Sequence, residues 1–356
     1  MPHRKLILRI GLSLVVSGVL IFLSLRHADL RAVASAIVTA DPWPVFGYFV
    51  ILLAVHLVKT LRWGLLLKPV GNVGFRRLNS ASAIGFMMMV LLPLRLGELA
   101  RPLLVSRPPE GGQGDLLPRS GAMASCVIER IIDCLAVGVL GIVSLHVLAT
   151  TGTAAEFARR ASVAVTVGFT ALCVALVVAF FMRERTVAFV RAALRPVLPR
   201  WADRIAVPLD RFILGLHLGS AGRVIAVLAL TAAYWCLHVW GFWMVAGAFG
   251  LKLTGLMAAT VLACQVVGIM IPAGPGMVGT SQFFTQLGVS IFIAGALTVP
   301  DVAARAAAYA NVIWLLQFGQ QVLTGLVFLL AGHTSLVGLF RPMENVAHVE
   351  PGRSRF

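Results

Sequence analysis

The chain has 356 residues, of which 59% are hydrophobic and only 12% charged, with a mean hydropathy of +0.92. A soluble domain carries about 25% charged residues, so a water-facing coat is missing, and the wealth of apolar surface excludes disorder. The net charge of +16 sits on basic residues between apolar stretches, not clustered on a soluble face, which fits membrane topology and not nucleic acid. The class left is an all-α polytopic membrane protein.

In chain order, Arg4-Lys5 followed by Leu6 to Leu25 imitates a signal peptide. The apolar stretch exceeds the roughly 7–15 residues of a signal h-region and no A-x-A site follows, so it reads as an uncleaved first span. Further stretches long enough for an apolar core of about 30 Å run near 43–61, 120–148, 161–182, 223–249 and 301–331, making six crossings. Two apolar segments break early. Residues 79–92 stop at Pro93, and residues 256–271 stop at Pro272-Ala273-Gly274-Pro275-Gly276 before a second apolar run from Met277 to Leu297. Broken helices at membrane depth need protein or a water-filled cavity over the exposed backbone. Both read as re-entrant helical hairpins.

The charges test that topology. With the N-terminus inside, the inner side collects Arg4, Lys5, Arg9, Lys59, Arg62, Lys68, Arg76, Arg77, Arg107 and Arg119, then eight arginines from Arg183 to Arg223 and the C-terminal Arg341, Arg353 and Arg355. Outside fall Arg26, Arg31, Arg159, Arg160 and Lys252, with Arg305 near the outer end of the last span. A single crossing over 79–105 would put the eight-arginine loop outside, against the positive-inside bias. The loop 183–222 reads as lying on the anionic inner leaflet. Residues 1–148 and 161–331 then repeat one order of elements in opposite orientation, and 179 residues separate the breaks at Pro93 and Pro272. That is the pattern of an inverted repeat, whose site lies at the repeat interface near the midplane. The expected organisation is one transmembrane domain, 1–331, with a short cytoplasmic tail, 332–356.

Candidate site residues follow from charges at depth. Arg95, Glu98 and Arg101 come after the first break; Glu98 and Arg101, three apart, share a helical face and can pair, while Arg95 leaves a positive charge that wants an anion. Glu129, Arg130 and Asp133 open the fourth crossing, with two readings open: anchors at headgroup level, or partners that neutralise Arg95 or Arg101 across the bundle. In the second hairpin, Gly276 and Gly279 shape a turn before a helix start, where free N–H groups and the dipole suit an anion, and Gln282 adds a donor. His56, Lys59 and His238 stand alone, and Trp43, Trp63 and Trp201 read as interface-belt residues. The five cysteines, Cys126, Cys134, Cys173, Cys236 and Cys264, fall in apolar stretches without CxxC spacing; no disulfide, metal or cofactor is expected.

The run Leu92-Pro93-Leu94-Arg95-Leu96-Gly97-Glu98-Leu99-Ala100-Arg101, then Arg62-Trp63, Glu129-Arg130-Ile131-Ile132-Asp133 and Pro272 through Gly279, resembles the motifs of the flippase-like membrane family related to the transmembrane half of lysylphosphatidylglycerol synthases. The resemblance spans nearly the whole chain and implies movement of aminoacylated phospholipids, hopanoids or polyprenyl-linked sugars between leaflets, so that the expected partner is a phospholipid or polyprenyl-linked lipid. Gln282 departs from it, since such proteins often carry glutamate there. After the last span the chain runs only from 332 to 356, so a soluble aminoacyl-transferase domain is not expected.

The expected function is a non-enzymatic lipid translocator of the cell inner membrane, both termini cytoplasmic. Arg95 and Arg101 would hold phosphate, Glu98 would orient them, and Glu129, Arg130 and Asp133 would line the inner rim. The alternatives are a polytopic enzyme with a lipid-linked donor and an accessory subunit beside lipid-synthesis enzymes. In a cysteine-free background, cysteines at positions 111 and 190 should resist external labelling in intact cells while one at 153 is marked. External labelling at 190 would sink the six-crossing topology.

Overall fold

The computed structural model describes residues 2–92, 97–106, 117–151, 220–271 and 274–331, with isolated positions between 182 and 192. Its regular elements, among the described residues, are all helical. Helix α1 (Pro2–Leu25) leads into α2 (Leu30–Thr39), where Asp29 caps the start by accepting the Arg31 N–H at 2.9 Å. The apolar part of α1 and α2 meet at 78°. Sequence alone leaves residues 26–42 as an outer connection; the amphipathic α2 instead packs on the last long helix.

Helix α3 (Pro42–Leu67) starts on a proline, with Asp41 accepting the Trp43 N–H at 3.0 Å. Next come α4 (Phe75–Leu91), a helical turn at 97–99, α5 (Ala100–Val105) and α6 (Arg119–Thr151). After residue 220 follow α7 (Ala221–Ala248), α8 (Gly255–Ile269), a 3₁₀ turn (Pro275–Met277), α9 (Thr280–Ser290) and α10 (Pro300–Leu330). Ser220 and Thr254 cap α7 and α8 by accepting backbone N–H groups, which relieves donors left without intrahelical partners.

Helices α3, α7 and α10 are long and apolar enough to cross a membrane. They coincide with three expected spans, and α1 and α6 occupy two more; the expected span 161–182, the loop 183–222 apart from isolated positions, and the tail 332–356 lie outside the described residues. Helix α8, with 15 residues, is about 22 Å long, and α9, with 11, about 16 Å. Neither covers a core of about 30 Å.

The long helices pair across the two halves of the chain. Helix α3 runs along α7, α4 along α10, and α6 against α8, while α4 also touches the turn at Pro275–Met277. The main core joins Tyr48, Phe242, Leu262, Tyr309 and Ile313, and a second one gathers Trp63, Leu78, Ile84, Met87 and Leu104 around the first hairpin. Small residues set the close approaches. A Cβ at Gly97 would overlap the α4 backbone at Met88 and Met89, so glycine lets the first hairpin close. The second hairpin is tied to α1: Ser17 Oγ accepts the Gly274 N–H and Ser24 Oγ accepts from Gln286 Nε2, both at 2.8 Å.

At the α3–α7 crossing, a Cβ on Gly241 would overlap the Tyr48 ring, whereas one on Gly247 meets open space. Gly241→Ala should therefore lose about 1–3 kcal/mol by overpacking, and Gly247→Ala should be neutral or slightly stabilising by helix propensity. Thermal midpoints of the purified variants in detergent check this. Equal midpoints would contradict the crossing.

Candidate functional site

Two charged faces meet under the first hairpin. On α3, Lys59 and Arg62 are three apart; on α6, Glu129 and Asp133 are four apart, so each pair shares a helical face. Arg62 is fully buried and reaches both acids: Nη2 lies 3.0 Å from Glu129 Oε1 and Nη1 lies 2.7 Å from Asp133 Oδ1. Its Nη1 also donates to Thr231 Oγ1 on α7 at 3.3 Å. From α5, Arg101 Nη1 donates to the other Glu129 oxygen at 2.7 Å. Glu129 thus sits between two guanidinium groups, and α3, α5 and α6 are fastened to one carboxylate.

Aromatic faces complete the solvation of these cations. The Arg101 guanidinium lies 4.3 Å from the centre of the Trp63 ring and 4.5 Å from that of Phe86, and its Nε and Nη2 find no hydrogen-bond partner among the described residues. Ring quadrupoles take the place of water there. A Cβ on Gly85 would overlap Arg101 Cγ, so the glycine in α4 makes room for the arginine. Trp63 is fully buried and donates from Nε1 to Ser125 Oγ at 3.0 Å, so it is no interface-belt residue.

The Glu98–Arg101 pair expected from their spacing is replaced. Glu98 lies in the turn at 97–99, ahead of α5, and its Oε1 is 3.7 Å from Arg130 Nη2, while Arg101 turns to Glu129. The spacing argument assumed one continuous helix, and the junction before Ala100 breaks it. Of the two readings of the α6 charges, burial of Glu129 and Asp133 at 3% and 8% exposure selects neutralisation across the bundle over headgroup anchoring. Arg95 lies outside the described residues.

Beside this network is a cavity of ≈ 670 Å³, within the size range of small-molecule sites. Lys59, Arg130 and Asp133 line one part, and Gln265, Ser281, Gln317, Gln320 and Gln321 another. Gln317 Nε2 donates to the Tyr48 hydroxyl at 3.0 Å; Tyr48 and Lys59 are eleven residues apart on α3, about 16 Å along the axis. The amide group of Gln317 is therefore set off from Lys59 along the α3 axis. Both hairpins supply wall: Phe86, Met89 and Val90 from the first, Gly276, Met277 and Ser281 from the second. Among the lining residues, the apolar Cys134, Val267, Met270 and Ile291 are exposed.

Of the expected site residues, Arg130, Asp133 and Gly276 are on the cavity wall, and Arg101, Glu129 and Glu98 belong to the adjoining network. Gly279 and Gln282 are elsewhere. Gln282 Oε1 accepts the Gly279 N–H at 2.8 Å, so that donor at the α9 start is used within the hairpin, and Gly279 packs on α1 at Ser17. Sequence reasoning missed Arg62 as the hub, counting it as a cytoplasmic charge, and missed the four glutamines. The signals were present: Lys59 and Arg62 share a face matching that of Glu129 and Asp133, and Gln265, Gln317, Gln320 and Gln321 interrupt apolar spans. His56 bonds Asn79 at 2.8 Å and His238 contacts the Tyr234 carbonyl at 3.1 Å, both on the cavity wall.

A family model described as the lysylphosphatidylglycerol synthase TM region matches residues 10–317. Comparison with curated proteins and with solved structures gives no match.

Removing one partner of a buried ion pair leaves an uncompensated charge, at about 3–5 kcal/mol. Arg62→Gln leaves Asp133 without its arginine and Glu129 with Arg101 alone, and should sharply lower the folded yield and the thermal midpoint. Arg62→Lys should recover only part of the loss, because an ammonium lacks the planar fork that spans two carboxylates. Wild-type stability in Arg62→Gln would remove Arg62 from the centre of the network.

Proposed function

The chain belongs to the family of the lysylphosphatidylglycerol synthase transmembrane region, and from that premise we propose that it is a lipid translocator of the cell inner membrane. A phosphate-bearing headgroup passes through the cavity while its acyl or prenyl chains stay in the bilayer. The carrying observation is one cavity walled by both hairpins, with charged residues in its lining and exposed apolar ones beside them in the same lining. A headgroup needs the first and its tails need the second. At ≈ 670 Å³ the space suits a headgroup with the first part of its chains, not a soluble macromolecule.

The reading includes six crossings and an inverted repeat with cytoplasmic termini. Reciprocal packing supports the repeat: α4 against α10 corresponds to α8 against α6, and the α4–α5 hairpin corresponds to the α8–α9 hairpin. Helices α3 and α7, equivalent under such a repeat, pack on each other, as elements beside a two-fold axis do. Contact between α4 and the turn at Pro275–Met277 brings the hairpins together around the cavity. The partner is a phospholipid or polyprenyl-linked lipid, delivered or consumed by lipid-synthesis enzymes; the protein itself makes no covalent bond. Arg130 and Asp133 form the polar mouth.

A blocking substitution tests this. Gly141 lines the cavity, and a Cβ there meets nothing within 4 Å, so Gly141→Trp should fill the passage without disturbing the packing. In vesicles loaded with a fluorescent phosphatidylglycerol in both leaflets, external reductant should quench beyond the outer-leaflet share with wild-type protein and only that share with Gly141→Trp. Equal quenching by wild type, variant and empty vesicles would end the translocator reading.

A further inference from the structure

The three acids around the cavity are already engaged. Glu129 is held by Arg62 and Arg101, Asp133 by Arg62, and Glu98 approaches Arg130. Lys59 differs from the arginines. It lines the cavity with its Nζ 4.6 Å from the centre of the Phe86 ring and 5.5 Å from that of Tyr234, and among the described residues no carboxylate oxygen lies within 4.0 Å of it. Two ring faces stabilise an ammonium but leave its charge unneutralised. With four cations (Lys59, Arg62, Arg101, Arg130) against three acids (Glu98, Glu129, Asp133), the described cluster carries one excess positive charge, and it sits on the cavity wall.

The amide part of the wall carries no formal charge. Gln265 Nε2 donates to Ser281 Oγ at 2.9 Å and to Gln317 Oε1 at 3.2 Å, and Gln320 and Gln321 complete an amide surface. Amides and hydroxyls exchange hydrogen bonds with other neutral donors and acceptors. They offer no counter-charge to a cation.

We infer that Lys59 is the anion-binding residue of this cavity, and that the cavity selects a phosphate-linked lipid whose remaining headgroup is uncharged and hydroxylated over one bearing an ammonium. Phosphate docks on Lys59, with Arg130 beside it, and the hydroxylated part extends toward the glutamines. An aminoacylated headgroup would bring a second ammonium to a wall whose one carboxylate, Asp133, is already bound 2.7 Å from Arg62. Selectivity therefore runs against the lysylated lipid after which the family is named. The assignment rests on the proposal that this cavity is the lipid passage.

The purified full chain in detergent, titrated with short-chain phosphatidylglycerol and short-chain lysylphosphatidylglycerol, tests it by calorimetry or native mass spectrometry. Wild type should bind phosphatidylglycerol on the order of 10–100-fold more tightly, the factor carried by one charge-assisted hydrogen bond. Lys59→Gln should lose that factor for phosphatidylglycerol, and Lys59→Arg should keep most of it. The comparison of the two lipids on wild type stands even if Lys59→Gln fails to fold. Equal or tighter binding of lysylphosphatidylglycerol overturns the selectivity, and unchanged affinity in a folded Lys59→Gln overturns the role of Lys59. Glycerol phosphate binding as tightly as the lipid would make this a soluble-anion site and overturn the lipid assignment. Translocation without the preference defeats only this inference; the preference without translocation defeats only the translocator reading.

Discussion

A charge inside a bilayer must be compensated by its neighbours, because lipid supplies neither counter-ions nor hydrogen bonds. That constraint organises the first half of this protein around Glu129. Its two oxygens are taken by arginines from different helices, Arg62 of α3 and Arg101 of α5, and Asp133 one turn further along α6 gives Arg62 its second partner. In this lock α3 and α5 bring only positive charge and α6 only negative. Burial of the charges therefore requires the helices to come together, and the electrostatics specify which three meet. Association of apolar helices in lipid gains little from burial itself, so such a cross-helix lock supplies specificity that packing alone does not.

The cavity follows from the lock. Holding the first hairpin against α6 leaves α4 beside the second hairpin, whose own turn is fixed by Gly276 at φ 70° and by the Trp314 Nε1 donation to the Gly276 carbonyl at 2.8 Å. Neither short hairpin fills the thickness of the membrane, and the space between them is lined by whatever side chains remain. Lys59 points there from the same face that gives Arg62 to the lock. One helical face thus holds a residue that fastens the structure and a residue left to face a ligand.

Much of this was legible in the sequence, and what was hidden had one physical cause. The spans at α3, α7 and α10 announce themselves by apolar length, and the hairpins by proline and glycine at membrane depth. Lys59 and Arg62 were counted with the cytoplasmic loop charges, because a charge count has no means of telling a basic residue at the membrane surface from one folded back onto an acid. Their distinguishing mark is the three-residue spacing that matches the acids of α6, a relation between segments far apart in sequence. The Glu98–Arg101 pair fails for the same reason in reverse: local spacing proposes a partner, and a buried carboxylate on another helix wins. Trp63, an interface residue by type, is buried because Ser125 offers its N–H an acceptor. The connection at 26–42 conceals α2 because its ten residues are too few to register as a span, and only the capping Asp29 marks its start.

The serines of α1 have a consequence for the order in which the protein is made. Ser17 and Ser24 find their partners 257 and 262 residues later in the chain. At roughly 5–20 residues per second of synthesis, α1 enters the bilayer on the order of 10–50 s before the second hairpin exists. During that interval its hydroxyls must turn inward to the carbonyls of their own helix, the local bond that serine can always make. Arrival of Gly274 and Gln286 then switches them from intrahelical to tertiary partners. The first helix to insert is in this way among the last to acquire its final contacts, and the closing of the second hairpin onto it marks a late step in biogenesis.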